Sequence, residues 1–131
     1  MSLFDKLFNR KTTTTDVTFK KVAGEAFTLG NQNGQIENPS KNDLQKYLDL
    51  LFTEDDQFIV LTLERAKNGI RYVQATFAGN ELIVQLGLEE GETTRLVEKT
   101  CPREAECTDI FYRFYDYGMV EHLEEYKPVE F

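Results

Sequence analysis

The stretch QFIVLTLERAKNGIRYVQATFAGNELIVQLGLEEGETTRLVEKT, residues 57–100, decides how this chain folds. It contains four runs rich in β-branched, aliphatic and aromatic residues, which suit the pleated surface of a sheet: residues 58–63, 70–77, 82–88 and 93–99. Three dipeptides that supply positive φ angles separate the runs: Asn68-Gly69, Gly79-Asn80 and Glu90-Gly91. Because two-residue turns join antiparallel neighbours, we predict a meander of four antiparallel strands.

The third run indicates which side of the meander is buried. Its even positions, from 82 to 88, carry leucine or valine, whereas positions 83, 85 and 87 carry isoleucine, glutamine and glycine. A period of two places these sets on opposite faces. The first run is apolar on both faces, so we expect that strand to be central in the sheet or covered on both sides. The less buried face, either solvated or an interaction surface, is expected to carry Arg71, Gln74, Gln85 and Arg95.

A helix is predicted directly after Asn38-Pro39. Ser40 and Asp43 have the spacing of a capping box, in which each side chain accepts a hydrogen bond from the other residue's backbone N–H group. Apolar side chains then recur with the helical period and form one stripe: Leu44, Tyr47, Leu48, Leu51 and Phe52. The polar side chains that lie away from this stripe are Lys41, Gln45, Lys46 and Asp49.

A second helix is predicted over residues 103–117. Pro102 suits its first turn, and Gly118 suits a left-handed stop. Its apolar stripe consists of Cys107, Ile110, Phe111, Phe114 and Tyr115. We expect Tyr112 and Tyr117 to point away from this stripe and to be available for contact.

The elements combine into one fold prediction. We expect one or two short edge strands near residues 17–19 and 26–29, with a loop over residues 30–34. Each helix has one apolar stripe to bury, and the sheet has one strongly apolar face. The sequence therefore predicts an α+β fold, an antiparallel meander sheet of four to six strands with the two main helices packed on one face.

Length and hydropathy predict the domain organisation. The chain has 131 residues, enough for one domain with one core. We expect residues 1–15 to form an amphipathic segment and polar linker that packs on the body, docks on a partner or touches a membrane surface. Residues 16–131 are expected to form a single α+β domain. The chain contains no apolar run long enough for a membrane span and no signal-peptide pattern, so we predict a cytoplasmic protein.

The charge is negative and unevenly spread. The chain has 15 Lys and Arg against 23 Asp and Glu, a net charge of −8, and 19 of the acids follow residue 40. Such a field repels nucleic acid and anionic lipid, whereas it speeds the encounter with a basic protein. Solubility alone is the other explanation for a charge of this size.

Catalytic or cofactor chemistry receives little support from the residues. His122 lies in a polar tail without a neighbour that would make it a base, and no phosphate-binding glycine motif occurs. Cys101 and Cys107 match no zinc or redox spacing. Adjacent carboxylate pairs such as Glu124-Glu125 supply too few ligands for a cation. We expect no catalytic residue, no metal and no cofactor, and hence not an enzyme.

A series of motifs occurs in a recognisable order: Glu37-Asn-Pro-Ser40, Phe58-Ile-Val-Leu61, Tyr72-Val-Gln-Ala75, Leu82-Ile-Val-Gln-Leu86 and Phe111-Tyr-Arg-Phe-Tyr-Asp-Tyr117-Gly118. Over residues 37–118 this order resembles small bacterial immunity proteins of polymorphic toxin systems. Many of those proteins have Trp where this chain has Lys41. The resemblance implies a non-catalytic cytoplasmic protein that binds and blocks a toxin domain.

The partner is therefore expected to be a protein, with a basic toxin domain as the first candidate and a second copy of the chain as another. Acidic clusters and exposed tyrosines are the expected contact residues. They are Asp49, Glu54, Asp55, Asp56, Glu89, Glu90, Glu92, Tyr112, Asp116 and Tyr117. Two alternatives remain open: an acidic chaperone for a secreted protein, usually dimeric, and a regulatory domain that binds a small ligand between sheet and helices.

Overall fold

A computed structural model describes residues 27–53 and 57–129 as one antiparallel sheet with two α-helices. The elements are β1 (Phe27–Asn31), β2 (Gly34–Glu37), α1 (Lys41–Thr53), β3 (Phe58–Lys67), β4 (Ile70–Ala78), β5 (Glu81–Glu90), β6 (Thr93–Cys101), α2 (Glu104–Tyr117), a 3-10 helix (Leu123–Glu125) and β7 (Lys127–Pro128). The strand order is β2-β1-β3-β4-β5-β6-β7. The expected segment over residues 1–15 and the strand near residues 17–19 lie outside the described residues.

The predicted meander is confirmed as β3 to β6. Asn68 and Gly69 have φ angles of 54° and 77°, the double positive φ of the turn that best fits the twist of a hairpin. The last turn is centred one residue later than predicted, on Gly91-Glu92, because Glu90 still pairs with Thr93. The α+β class and the antiparallel sheet therefore follow the sequence prediction.

Over the described residues the sheet has seven strands, where the sequence predicted four to six. The two strands that the sequence did not predict are the short edges β2 and β7. Part of β2 was expected to be loop, because Ile36 is the only aliphatic residue in Gly34–Glu37. β7 contains only two residues, one of which is Pro128, so it has no alternating pattern. Both strands exist because the neighbouring strands β1 and β6 offer backbone partners.

The core lies between one sheet face and both helices. One row of side chains runs in register across five strands and is at most 2% exposed: Leu29, Leu61, Val73, Leu86 and Val97. The buried stripes of the helices join the same cluster: Leu44, Leu48 and Leu51 from α1, and Cys107, Phe111, Phe114 and Tyr115 from α2. The two helices therefore pack on one face of the sheet, as predicted.

The predicted helix ends also form. The Asp43 N–H donates to Ser40 Oγ at 3.0 Å, and the Ser40 N–H donates to Asp43 Oδ2 at 2.9 Å, which completes the capping box. These hydrogen bonds lower the pKa of the Asp43 carboxyl. At the end of α2, Gly118 has a φ of 67° and its N–H donates to the Phe114 carbonyl. No helix in the described part of the chain is long and apolar enough to cross a membrane.

The second sheet face has no described helix on it, and we call it the open face. Gln74 and Gln85 lie on it as expected, and Arg71 reaches Glu89 there. Arg95 does not lie on it. It pairs in register with Leu88, whose side chain is buried on the helix side, and it binds Glu90 instead. The prediction for Arg95 was wrong because the sixth strand lacks a clear apolar alternation at that end.

Candidate partner-binding surface

Two rows of side chains meet where α1 and α2 run antiparallel. Lys41, Gln45 and Asp49 are four residues apart on α1, and Tyr112 and Asp116 are four apart on α2, so each set lies on one helix face. Lys41 Nζ lies 2.8 Å from the Asp116 carboxylate. The Tyr112 hydroxyl donates to Gln45 Oε1. We call these five residues the helix-pair surface.

Sequence reasoning missed two members of this surface, Lys41 and Gln45, as candidate site residues. Their spacing from Asp49 already placed all three on one polar face of the helix. The spacing could not show that Tyr112 and Asp116 of α2 lie against these residues, since Tyr112 is 67 residues from Gln45 and Asp116 is 75 residues from Lys41. The tertiary fold brings the two helices together.

The electrostatics of the surface centre on Tyr112. Burial, and then the charges of Asp49 and Asp116, raise the pKa of the Tyr112 hydroxyl, so it remains a neutral donor. Lys41 Nζ lies 5.2 Å from the centre of the Tyr112 ring, a cation–π distance. The Asp116 side chain is only 18% exposed beside Lys41, whereas Asp49 is exposed and accepts a hydrogen bond from Gln45. Asp49 is therefore the more accessible carboxylate.

The acidic hairpin between β5 and β6 is largely paired within the protein. Arg71 Nη1 lies 2.8 Å from Glu89, and Arg95 Nη2 lies 3.1 Å from Glu90. These ion pairs offset both carboxylate charges, which weakens the field they present to a partner. Glu92 lies exposed on the turn itself. The role of this hairpin in partner contact stays a prediction.

Two hydrogen bonds place this hairpin at the same end of the domain as the end of α2. The Glu89 N–H donates to the Gly69 carbonyl, and Asn68 Nδ2 donates to the Gly118 carbonyl. Tyr117, just before Gly118, is half-buried and interacts within the protein. Three predicted contact residues lie outside the described residues: Glu54, Asp55 and Asp56.

The two most distinctive motifs of the resemblance touch each other. The Tyr115 hydroxyl donates to the Pro39 carbonyl at 2.8 Å, and its ring stacks on Phe27 with centroids 5.4 Å apart. Tyr115 is only 6% exposed. In this chain, the Pro-Ser motif and the aromatic helix motif therefore join the start of α1 to α2, which is a structural role.

Replacing Tyr115 with phenylalanine is expected to lower the free energy of unfolding by about 1–2 kcal/mol, because the buried Pro39 carbonyl loses its donor. Urea denaturation would measure the change. Tyr112→Phe is the matched control, since its hydroxyl contacts the exposed side of α1, and a smaller loss is expected there. Equal losses in both variants would contradict a special role for the Tyr115 bond.

His122, Glu124 and Glu125 form one cluster of metal-ligand type within the described residues. Their ligand atoms lie within 4.8 Å of one another, and all three side chains are exposed. Lys99 Nζ lies 2.8 Å from both Glu125 and Glu106. This ammonium lowers the pKa of the Glu125 carboxyl and already supplies the local positive charge. The contacts are those of a surface ion-pair network.

A groove of about 490 Å³ lies beside the same network. It is lined by Glu98, Lys99, Thr100, Pro102, Glu106, Glu125, Lys127 and Pro128. It is at the edge of the sheet, whereas the ligand-binding alternative expected a pocket between sheet and helices. In that space, the described side chains of Leu48, Leu61 and Phe111 are 0% exposed. At these three positions the core fills the space between the sheet and the helices.

Comparison of the chain with protein-family models, with curated proteins and with solved structures finds no match.

Proposed function

We propose that this chain is a non-catalytic binding protein that neutralises a basic toxin domain by contact through the helix-pair surface. One observation carries the proposal. The antiparallel helices bring Asp49, Tyr112 and Asp116, three of the expected contact residues, onto one surface of an acidic domain.

The helix-pair surface has an aromatic side chain, Tyr112, at its centre and the carboxylates of Asp49 and Asp116 beside it. Tyrosine provides a large, rigid contact area and is enriched among residues that dominate binding energy. Hydrogen bonding to Gln45 and the approach of Lys41 hold the Tyr112 ring before any partner arrives. Such preorganisation reduces the entropy cost of binding. The net charge of −8 accelerates the approach of a basic partner and fits the inhibitor role that the motif order implies.

The experiment begins with the protein encoded beside this chain in its genome. We expect its toxin domain to arrest growth when expressed alone in a laboratory bacterium, and co-expression of this chain to restore growth. The association rate of the purified pair should fall steeply as salt rises from about 50 to 500 mM. A neighbouring secretion apparatus and effector, with no growth arrest, would instead favour the chaperone.

Matched variants then test the surface. Asp49→Lys should slow association about tenfold, whereas Glu81→Lys, the same charge change on the exposed β4–β5 hairpin, should have a smaller effect. Tyr112→Ala should speed dissociation about 30-fold or more, and Tyr112→Phe, which keeps the ring, should stay near the native rate. Native kinetics in both Asp49→Lys and Tyr112→Ala would refute the assignment of this surface.

A further inference from the structure

The open face carries a ladder of polar side chains at its centre. Gln74, Gln85 and Glu98 pair in register across β4 to β6, and Val60 of β3 continues the same row. Gln74 Nε2 donates to Gln85 Oε1 at 2.5 Å, and Gln85 Nε2 donates to Glu98 Oε1 at 2.8 Å. These two hydrogen bonds fix the orientation of both amide groups and link side chains of three strands.

Apolar side chains flank this ladder on both sides. Thr62, Tyr72, Gly87 and Leu96 form the next row, and Phe58, Thr76, Ile83 and Thr100 form the row on the other side. Phe58 is 39% exposed, and Tyr72, Ile83 and Leu96 are half-buried. The open face therefore carries large apolar side chains and threonines on both sides of a central row of hydrogen-bonding groups.

A glycine makes this surface flat. A Cβ atom at Gly87 would lie only 2.2 Å from the Tyr72 ring, so the ring covers the backbone of β5 at that point. An aromatic ring that lies across a strand glycine fills the missing side-chain volume without projecting from the sheet. A flat face of this kind can approach another flat face closely.

The named charges on the open face balance, although the whole chain has a net charge of −8. In the three rows across the described strands β3 to β6, Glu98 carries the one formal charge, and Lys127 of β7 pairs in register with it. Outside these rows, Arg71 lies 2.8 Å from Glu89. A basic partner would find little electrostatic attraction here. Two copies of an acidic chain, however, would repel each other least across this face.

The size of the face suits a dimer. The four long strands, β3 to β6, have nine or ten residues each and lie about 4.8 Å apart, so together they span roughly 600 Å². A standard interface buries about 800 Å² per partner, and sheets commonly stack face to face. Glutamine amides both donate and accept, so a ladder of them is self-complementary across a two-fold axis.

We propose that two copies of this chain stack through their open faces to form a symmetric homodimer. The helix-pair surface lies on the opposite side of the sheet and stays accessible in such a dimer. The inference is independent of the proposed toxin contact, because it uses different residues and a different partner.

Sedimentation equilibrium of the full chain at about 1–100 μM tests the proposal. The expected mass is twice 15.2 kDa. Phe58→Lys and Ile83→Lys should each raise the dimer dissociation constant about 30-fold or more, because a lysine at either site buries a charge in the contact. Leu123→Lys is the matched control: Leu123 is 41% exposed, close to the value for Phe58, and lies on the 3-10 helix. The control should dimerise normally.

Circular dichroism and thermal melts would establish that each variant is folded before its mass is interpreted. A native chain that stays monomeric at 100 μM would overturn the proposal. A dimer that Phe58→Lys and Ile83→Lys leave intact would also overturn it, since the contact would then lie elsewhere. Loss of toxin binding in Ile83→Lys with a monomeric native chain would assign the face to the toxin instead, and would likewise reject the homodimer.

Discussion

Truncating Phe111 to alanine is expected to lower the free energy of unfolding by about 3–5 kcal/mol, and truncating Leu48 by about 2–5 kcal/mol. Both side chains are 0% exposed and lie in the middle of the buried stripes of α2 and α1. Each truncation removes apolar contacts on the helix side of the sheet and leaves a cavity that the surrounding strands cannot fill.

Urea denaturation followed by far-ultraviolet circular dichroism would measure both losses. Leu123→Ala is the control, because Leu123 is 41% exposed and should cost less than about 1 kcal/mol. Losses below about 1 kcal/mol for both Phe111→Ala and Leu48→Ala would show that the apolar stripes of the helices do not form the core.

Raising the pH from 8 to 10 is expected to lower the free energy of unfolding by about 2–3 kcal/mol. Burial raises the pKa of Cys101 from its ordinary value of 9.0 to about 11, and it raises the pKa of Cys107 further. Above pH 9 the unfolded chain loses both thiol protons while the folded chain keeps them. Stability therefore falls with rising pH by about 1.4 kcal/mol per unit for each thiol.

The window ends near pH 11 for Cys101, where its folded-state thiol also ionises. The tyrosines add a smaller loss near pH 10, because burial raises the pKa of Tyr112, Tyr115 and Tyr126 above the ordinary value of 10.0; for Tyr126 the loss by pH 10 is about 0.4 kcal/mol. Lys99 starts from 10.5 and contributes less. Denaturation in reducing buffer at several pH values would give the slope. Replacing both cysteines with alanine should remove most of the loss between pH 8 and 10 and leave the smaller tyrosine part. An unchanged slope in that double variant would exclude the thiols as its cause.

The success of the fold prediction has a local cause. The turns, the capping box at Ser40 and the stop at Gly118 are decided by residues only a few positions apart. The same is true of the alternation in β5 and of the apolar stripe in each helix. These signals remain readable in the sequence because tertiary packing agrees with each of them.

The parts that were missed are decided by distant contacts. β7 follows from the Val129 N–H that reaches the Leu96 carbonyl and from the burial of Tyr126, neither of which leaves a periodic pattern. At the candidate site, the sequence indicated Asp49 and Tyr112 separately. Their meeting, and the pairing of Asp116 with Lys41, depend on the antiparallel contact of α1 with α2. The ion pairs of the β5–β6 hairpin could not be predicted from the sequence either.

The strand order has a consequence for how the chain entropy of this fold is distributed. Each hairpin from β3 to β6 closes a loop of two turn residues, whereas β1 reaches β3 across α1, and β7 reaches β6 across α2. Loop-closure entropy grows with the length of chain enclosed. The entropy cost of loop closure therefore falls mainly on two strand pairings, β1 with β3 and β6 with β7. The four central strands, β3 to β6, can pair without either of these pairings.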